Sequence, residues 1–303
     1  MHMTTSKAAI VVHGGAGSSD KYQDGCDHAA QVAAAILQGE GKALDAAIRA
    51  VAAMEDDGRF NAGCGSVFCL DGETVEMDAG VMDSNGLLGA VACLQRVKNP
   101  VLVAREVANT PHWLLAGEGA QRFARSAGFA DYHSPSRKAR DSYIELMKKL
   151  TIDADKDAYA PVLAHWNYAI SPSEAIKRHG SGTVGAVVRG SRGDFAVATS
   201  TGGCTPALLG RVGDTPIIGC GFYAGALGAV AATGIGEYIA RQMLARTVYG
   251  WIEQGMPLQA ALNRGIALFQ EGISVGLIAI TEHETAASSS GEMATATRHA
   301  VID

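Results

Sequence analysis

Two β-sheets packed between helical layers is the fold class that the sequence predicts, and three observations carry it. Strand-like and helix-like segments occur in both halves of the chain. At 303 residues and 48% hydrophobic content, the chain has enough apolar side chain for a sizeable core. Its 37 glycines follow no repeating period, so they mark tight turns between short elements rather than a fibrous repeat.

Taken in order, Ala8 to Val12 is a short apolar strand that ends in the turn Gly14-Gly15-Ala16-Gly17. That turn lacks the GK[ST] ending and the GxGxxG spacing of phosphate loops. Ala-rich helices are expected at Asp24 to Gln38 and Ala43 to Met54. Strand-like runs follow at Ser66 to Leu70, Thr74 to Val81 and Leu87 to Leu94. Asn99-Pro100 opens a helix carrying Val101, Leu102 and Val107 at helical spacing, and Gly117 to Arg125 predicts another. From Ser134 to His179 charge rises and Pro135, Pro161 and Pro172 interrupt, which predicts a partly helical, mobile linker. Helices near Gly236 to Gly250 and Pro257 to Phe269, and closing strands around Ser274 to Thr281, complete the chain.

The most informative stretch follows the linker. Gly182-Thr183-Val184-Gly185-Ala186-Val187-Val188 and Ala198-Thr199-Ser200-Thr201-Gly202-Gly203 flank a turn signal, Gly190-Ser191-Arg192-Gly193-Asp194. An antiparallel hairpin folded about Arg192 sets Thr183 opposite Thr201, because facing positions sum to twice the turn centre. A threonine hydroxyl is a weak nucleophile without a base; a cut before Thr183 would supply one from its own α-amine. Most Thr-Val pairs are ordinary strand residues. The Gly182-Thr183 bond is nonetheless the first place to look for chemistry.

Composition narrows the function. The net charge of −6 and the lack of a long basic run argue against nucleic acid as a partner. The N-terminal residues carry no apolar signal-peptide core, and no window approaches the length of a membrane span, so a soluble, cytoplasmic protein is expected. Six cysteines without CxxC spacing predict buried thiols, not disulfides or zinc. Nine histidines without HExxH give no support to a catalytic metal.

Further words stand in the same order along the chain. They are His13-Gly14-Gly15-Ala16-Gly17, Arg59-Phe60-Asn61-Ala62-Gly63, Met77-Asp78-Ala79-Gly80-Val81-Met82-Asp83, Gly210-Arg211-Val212-Gly213-Asp214 and Thr233-Gly234-Ile235-Gly236-Glu237. Together with the hairpin words, they make the chain resemble the isoaspartyl peptidases and plant-type L-asparaginases, N-terminal nucleophile hydrolases whose precursor cuts itself at a Gly-Thr bond. The resemblance implies an αββα four-layer sandwich of two mainly antiparallel sheets in a single domain, 1–303. It implies autoproteolysis into an α subunit, 1–182, ending in the linker 134–182, and a β subunit, 183–303. Asparagine and β-aspartyl dipeptides are the implied substrates, a homodimer of such αβ pairs the implied assembly, and no organic cofactor is implied.

Residue by residue, Thr183 is the expected nucleophile and Gly182-Thr183 the cleavage site. Thr201 orients the attacking oxygen. Arg211 and Asp214, three apart in a glycine-bounded loop, offer one cation and one anion for the α-carboxylate and α-ammonium of an aspartyl group. Elsewhere such a pair would be a weak surface ion pair. Thr233 and Gly234, just before a helical pattern, form an oxyanion hole, and the Gly236 carbonyl helps hold the ammonium, as in relatives. Asn61 secures the scissile region by the same resemblance. So does a sodium ion wrapped by the backbone carbonyls of Met54, Glu55, Asp57, Phe60, Ala62 and Cys64. Glycosylasparaginases, the nearest rival class, tend to show Asp before the nucleophile and Thr-Gly-Asn-Gly at the oxyanion hole; this chain has Gly182 and Thr233-Gly234-Ile235-Gly236. A non-processing homologue that only binds an amino acid is the rival of another kind. The segment from Glu284 to Ala294 departs from relatives and bears on the leaving group; its run Ser288-Ser289-Ser290 would favour polar or charged leaving residues.

Overall fold

The computed structural model describes residues 8–69, 71–133, 135–152, 182–204 and 207–300. Strands β1 (Ala8–His13), β2 (Met77–Asp83), β3 (Leu88–Leu94), β4 (Leu114–Ala116), β5 (Val184–Arg189), β6 (Phe195–Thr201) and β11 (Thr295–Ala300) form a seven-stranded sheet in the order β11-β1-β5-β6-β2-β3-β4. Strands β7 (Phe222–Gly225), β8 (Gly228–Gly234), β9 (Val275–Thr281) and β10 (Thr285–Ser289) form a second sheet in the order β10-β9-β8-β7. Only the β3–β4 pair is parallel among the described strands. Helices α1 (Gln23–Gln38), α2 (Ala43–Asp57), α3 (Pro100–Val107), α4 (Gly117–Ser126) and α5 (Arg137–Ile152) lie in the first half. Helices α6 (Gly236–Gln242), α7 (Leu244–Glu253) and α8 (Leu258–Ile266) lie in the second.

Strand periodicity explains how the core divides. Successive side chains point to opposite faces, and a sheet covered on both faces reads as a continuous apolar run. Along β5, Val184, Ala186 and Val188 join a cluster with Leu37, Ile48, Met54 and Val101 of α1, α2 and α3. Val187 turns the other way and packs with Val11 and Val197 against Phe222, Ala229 and Ile278 of the second sheet. Val230, Ala232 and Leu277, on that sheet's far face, meet Leu244, Val248, Leu258 and Leu262 of α7 and α8. Gly80 of the Met77-Asp78-Ala79-Gly80 word is needed here, because a Cβ on it would stand 2.3 Å from the Phe222 ring. Removing that fully buried ring should cost about 3–5 kcal/mol.

Helix limits follow local chemistry. α2 ends where Gly58 adopts φ 75, a left-handed stop. α3 begins with Pro100 at its first turn, where no amide is needed. The expected helix from Gly236 to Gly250 is instead broken at Met243, at φ 44. The next amides leave the helical ladder: Ala245 N donates to the Cys220 carbonyl at 3.1 Å and Arg246 N to that of Gly219 at 2.9 Å, docking α7 on that loop. The strand expected at Ser66 to Leu70 does not form over residues 66–69. Its Val67 amide goes to Asn61 Oδ1 at 3.1 Å and its Cys69 amide to the Thr74 carbonyl at 2.8 Å, which closes a turn. Leu70 lies outside the described residues. Of the expected linker, residues 137–152 form α5; residues 153–181 lie outside the described residues.

Candidate active site

The β5–β6 hairpin has the register that its turn predicts. Val184 pairs with Ser200 and Arg189 with Phe195, so the next residues outward are Thr183 and Thr201, each 3% exposed. Gly190 N closes the turn on the Asp194 carbonyl at 2.8 Å. The hydroxyls do not pair as the register suggests. Among the described residues, Thr183 Oγ1 meets Thr215 Oγ1 at 3.4 Å, while Thr201 Oγ1 accepts the Gly203 amide at 3.2 Å. Thr215 lies just past Asp214, and its carbonyl accepts from Thr199 Oγ1 at 3.1 Å. Sequence reasoning missed this residue, because its only signal is position beside the Arg211–Asp214 loop.

The glycine turn after β1 closes over the Gly182-Thr183 bond. A Cβ on Gly15, at φ +108, would lie 2.5 Å from Gly182 Cα and 3.0 Å from Thr183 N. Ala16 N donates to Thr233 Oγ1 at 3.2 Å, and that hydroxyl reaches the Thr183 carbonyl at 3.5 Å. Thr233 therefore joins the turn to Thr183 from the end of β8, a strand of the second sheet that packs on β5. Gly234 follows at φ 143, where a Cβ would stand 2.3 Å from the Ser274 carbonyl. His13, at the end of β1, is fully buried over Gly185, whose Cβ would stand 2.4 Å from Nε2. Burial pushes its imidazole down to about 3, so it is neutral beside Thr183 at any ordinary pH.

Arg211, Asp214 and Gly236 converge. A Cβ on Gly236 would stand 2.9 Å from Asp214 Oδ1 and 3.0 Å from Arg211 Nη2, so this glycine keeps open the space between cation and anion. Asp214 is 3% exposed, its Oδ2 has no hydrogen-bond partner among the described residues, and burial pushes its carboxyl up to about 7. Arg211 Nε and Nη2 donate to Glu237 Oε1 and Oε2, both at 2.9 Å. Behind the loop, buried Asp78 accepts the Cys93 amide at 2.9 Å and also faces the Gly213 amide and Arg211. Burial outweighs those contacts and holds its carboxyl up at about 6. The roles of Asp78 and Glu237 were hidden in motif words that carry no charge-pairing signal.

Asn61 makes no hydrogen bond to Thr183 among the described residues. Its Nδ2 donates to the Gly203 carbonyl at 2.7 Å and its own carbonyl accepts the Gly202 amide at 2.9 Å, so it fixes the chain just after Thr201. Glu55, fully buried, accepts Ser200 Oγ at 2.7 Å and the Val101 amide at 3.0 Å. Burial pushes its carboxyl up to about 8.

The turn from Met54 to Cys64 can be tested for a sodium ion. A Cβ on Gly65 would lie 1.9 Å from the Phe60 carbonyl oxygen and 2.7 Å from that of Gly58; one on Gly63 would lie 2.7 Å from the Glu55 carbonyl oxygen. Backbone oxygens thus lie close against the glycines of this turn, and backbone oxygen is a ligand type that hard cations take. Two of the six expected ligands, Glu55 and Phe60, are among them. No cluster of His, Cys, Asp and Glu side chains suited to a metal exists among the described residues. No disulfide joins the six cysteines among the described residues, and no described helix is long and apolar enough to cross a membrane.

Known proteins resemble this chain over most of its length. A family described as Asparaginase matches residues 6–301. The chain is 42% identical over 270 residues to a plant-type L-asparaginase from Pyrococcus furiosus, covering 86% of this chain and 84% of that protein. It is 41% identical over 283 residues to an isoaspartyl peptidase/L-asparaginase from Danio rerio, covering 90% and 86%. It is 37% identical over 284 residues to a protein of the same name from Homo sapiens, covering 90% and 86%.

Proposed function

The chain belongs to the asparaginase family, and from that premise we propose that it is a self-processing threonine hydrolase that releases L-aspartate from β-aspartyl peptides and L-asparagine. The observation that carries the reading is the meeting of Thr183, Thr233 and the Arg211–Asp214 cradle around Gly236. In the family's terms the fold is the αββα sandwich of N-terminal nucleophile hydrolases, and the working unit a homodimer of αβ pairs.

Self-cleavage begins when the Thr183 hydroxyl attacks the Gly182 carbonyl carbon. The C–N bond breaks, the acyl group passes to oxygen, and the nitrogen takes the proton. Water then hydrolyses the ester, leaving a carboxylate on Gly182 and a free amine on Thr183. Holding nucleophile and base on one residue gives an effective concentration on the order of 10⁵ M or more.

In the processed enzyme, the amine takes the hydroxyl proton as Thr183 attacks the side-chain carbonyl of the aspartyl group. The oxyanion is received by the Thr233 hydroxyl and the Gly234 amide. Accepting from Ala16 N leaves the Thr233 proton to donate, and without substrate it is given to the Thr183 carbonyl at 3.5 Å; an oxyanion at that place would take it over. Collapse passes a proton to the leaving nitrogen and leaves an ester, which water cleaves to aspartate. Arg211 takes the α-carboxylate; Asp214 and the Gly236 carbonyl take the α-ammonium. A sodium ion held by backbone oxygens of the Met54–Cys64 turn, Glu55 and Phe60 among them, would stiffen the loop that carries Asn61. The chemistry needs no organic cofactor.

Gly182 before the nucleophile and Ile235 in the Thr-Gly-Ile-Gly word favour this reading over a glycosylasparaginase. A cradle for both α groups accepts an aspartyl residue only when it is linked through its side chain. The test is turnover of β-Asp-Leu and α-Asp-Leu side by side. Cleavage of the β isomer alone is expected, and equal cleavage of both would refute the reading.

A further inference from the structure

Arg211 is held by one residue that the chemistry above does not use. Its Nε and Nη2 donate to the two carboxylate oxygens of Glu237, each at 2.9 Å, in a side-on bidentate contact. A guanidinium carries five N–H groups in one plane, and this contact spends Nε–H and one Nη2–H. The end-on edge, Nη1 with the second Nη2–H, remains. Nη1 lies 2.9 Å from the Cβ position of Gly213, and Nη2 lies 3.0 Å from that of Gly236. The free edge therefore borders the same opening as Asp214 Oδ1. Nη1 has no hydrogen-bond partner among the described residues. Glu237 stands on the solvent side, its side chain 55% exposed against 17% for Arg211.

We propose that Glu237 is the positioning residue of the substrate grip: it fixes one edge of the Arg211 guanidinium so that the other edge faces the α-carboxylate of an aspartyl group. The contact costs the substrate nothing, because the two carboxylates use different edges. Arginine has many rotamers, and a guanidinium held in plane loses less freedom when the substrate arrives. The Gly236-Glu237 step of the chain performs both tasks, the glycine clearing the opening and the glutamate aiming the cation into it.

This inference rests on the proposed role of Arg211, and the experiment separates the two. The full-length, self-cleaved enzyme is compared with E237Q, E237A and R211A, using β-Asp-Leu for kinetics and calorimetry for binding of L-aspartate and of its α-amide. The α-amide keeps the ammonium and the side chain but offers no α-carboxylate. E237Q, which keeps one acceptor oxygen, should raise KM and the aspartate Kd about tenfold, the scale of one charge-assisted contact, with kcat changed less than about threefold. E237A should raise them further, and α-amide binding should move less than about twofold in either. Tighter aspartate binding in E237Q would make Glu237 a competitor and overturn the proposal. Equal weakening toward both ligands would reduce it to a structural prop and overturn it too. No change in E237Q or E237A beside a large loss in R211A would overturn it while leaving the Arg211 role standing. No change in R211A would remove that role itself.

Discussion

Gly15 lies against Gly182 so closely that a single methyl on it would stand 2.5 Å from the Gly182 α-carbon and 2.9 Å from its carbonyl carbon. The turn at the start of the chain thus holds the bond at the far end of the linker. Gly15→Ala should slow fragment formation strongly, because the methyl presses on the scissile peptide. Gly17, at φ +90 with nothing within 4 Å, shares the left-handed backbone without the contact. Gly17→Ala is therefore the control for conformational cost alone. Gel electrophoresis of both variants over time checks this, and equal rates would show that the contact is not felt.

Arg211→Ala should weaken use of β-aspartyl substrates far more than self-cleavage, since the α-carboxylate exists only on added substrate. Loss of a charge-assisted contact of about 1.5–3 kcal/mol corresponds to roughly 10- to 150-fold in kcat/KM. Unchanged steady-state constants for asparagine would mean that the grip lies elsewhere.

Gly236→Ala places a methyl 2.9 Å from Asp214 Oδ1 and 3.0 Å from Arg211 Nη2, inside the opening meant for the α groups. A rise in KM, with self-cleavage spared, is the expected outcome. The same kinetic assay that serves Arg211→Ala reads it.

Two buried carboxyls at the substrate grip set a pH dependence; on stability, buried Glu55, pushed up to about 8, acts with the same sign, and buried His13, pushed down to about 3, with the opposite one. Asp214 is pushed from an ordinary 3.8 to about 7, and Asp78 from 3.8 to about 6, burial being the main cause in both. For binding, Asp214 must be ionised to meet an ammonium, so KM should fall as pH rises through about 7. For stability the sign is opposite. Between the unfolded and folded values the native chain holds more protons than the unfolded one, so stability falls as pH rises. The contribution is fully present below the unfolded value and is lost as pH passes through about 6 and then about 7. Thermal melts of the ligand-free protein across this range should show the decline, flattened in Asp214→Asn and Asp78→Asn. A flat profile in the unsubstituted chain would contradict these environments.

How much of this was legible in the sequence depends on what each feature is made of. The hairpin register followed from one turn signal around Arg192, because antiparallel pairing is fixed once the turn is. Helices α1 to α4 declared themselves by apolar spacing and by Pro100. The β7–β8 hairpin did not: Gly-Phe-Tyr-Ala-Gly-Ala-Leu-Gly-Ala-Val-Ala-Ala-Thr-Gly is poor in β-branched residues and owes its strands to packing between the sheets. The break at Met243 was hidden because loop carbonyls at residues 219 and 220, not a local breaker, capture the amides of α7. At the site, Thr183, Arg211, Asp214 and Gly236 were readable from motif words. Thr215 and Glu237 were not, since a hydroxyl contact and a guanidinium edge are facts of three-dimensional placement. The serine run 288–290 likewise bonds its own neighbourhood: Ser288 Oγ donates to Asn263 Oδ1 at 2.9 Å and Ser290 Oγ to the Ile273 carbonyl at 2.9 Å. Met293 instead packs beside Thr233, its Sδ 2.4 Å from where a Cβ on Gly276 would stand.

The central claim is that Thr183 becomes an N-terminus and that its amine serves as the base. Mass spectrometry of the purified chain, sampled over time beside β-aspartyl hydrolysis, tests it most directly. The account predicts fragments 1–182 and 183–303 appearing in step with activity, and a Thr183→Ala chain that stays whole and inactive. Full activity from a preparation containing only the uncut chain would contradict it.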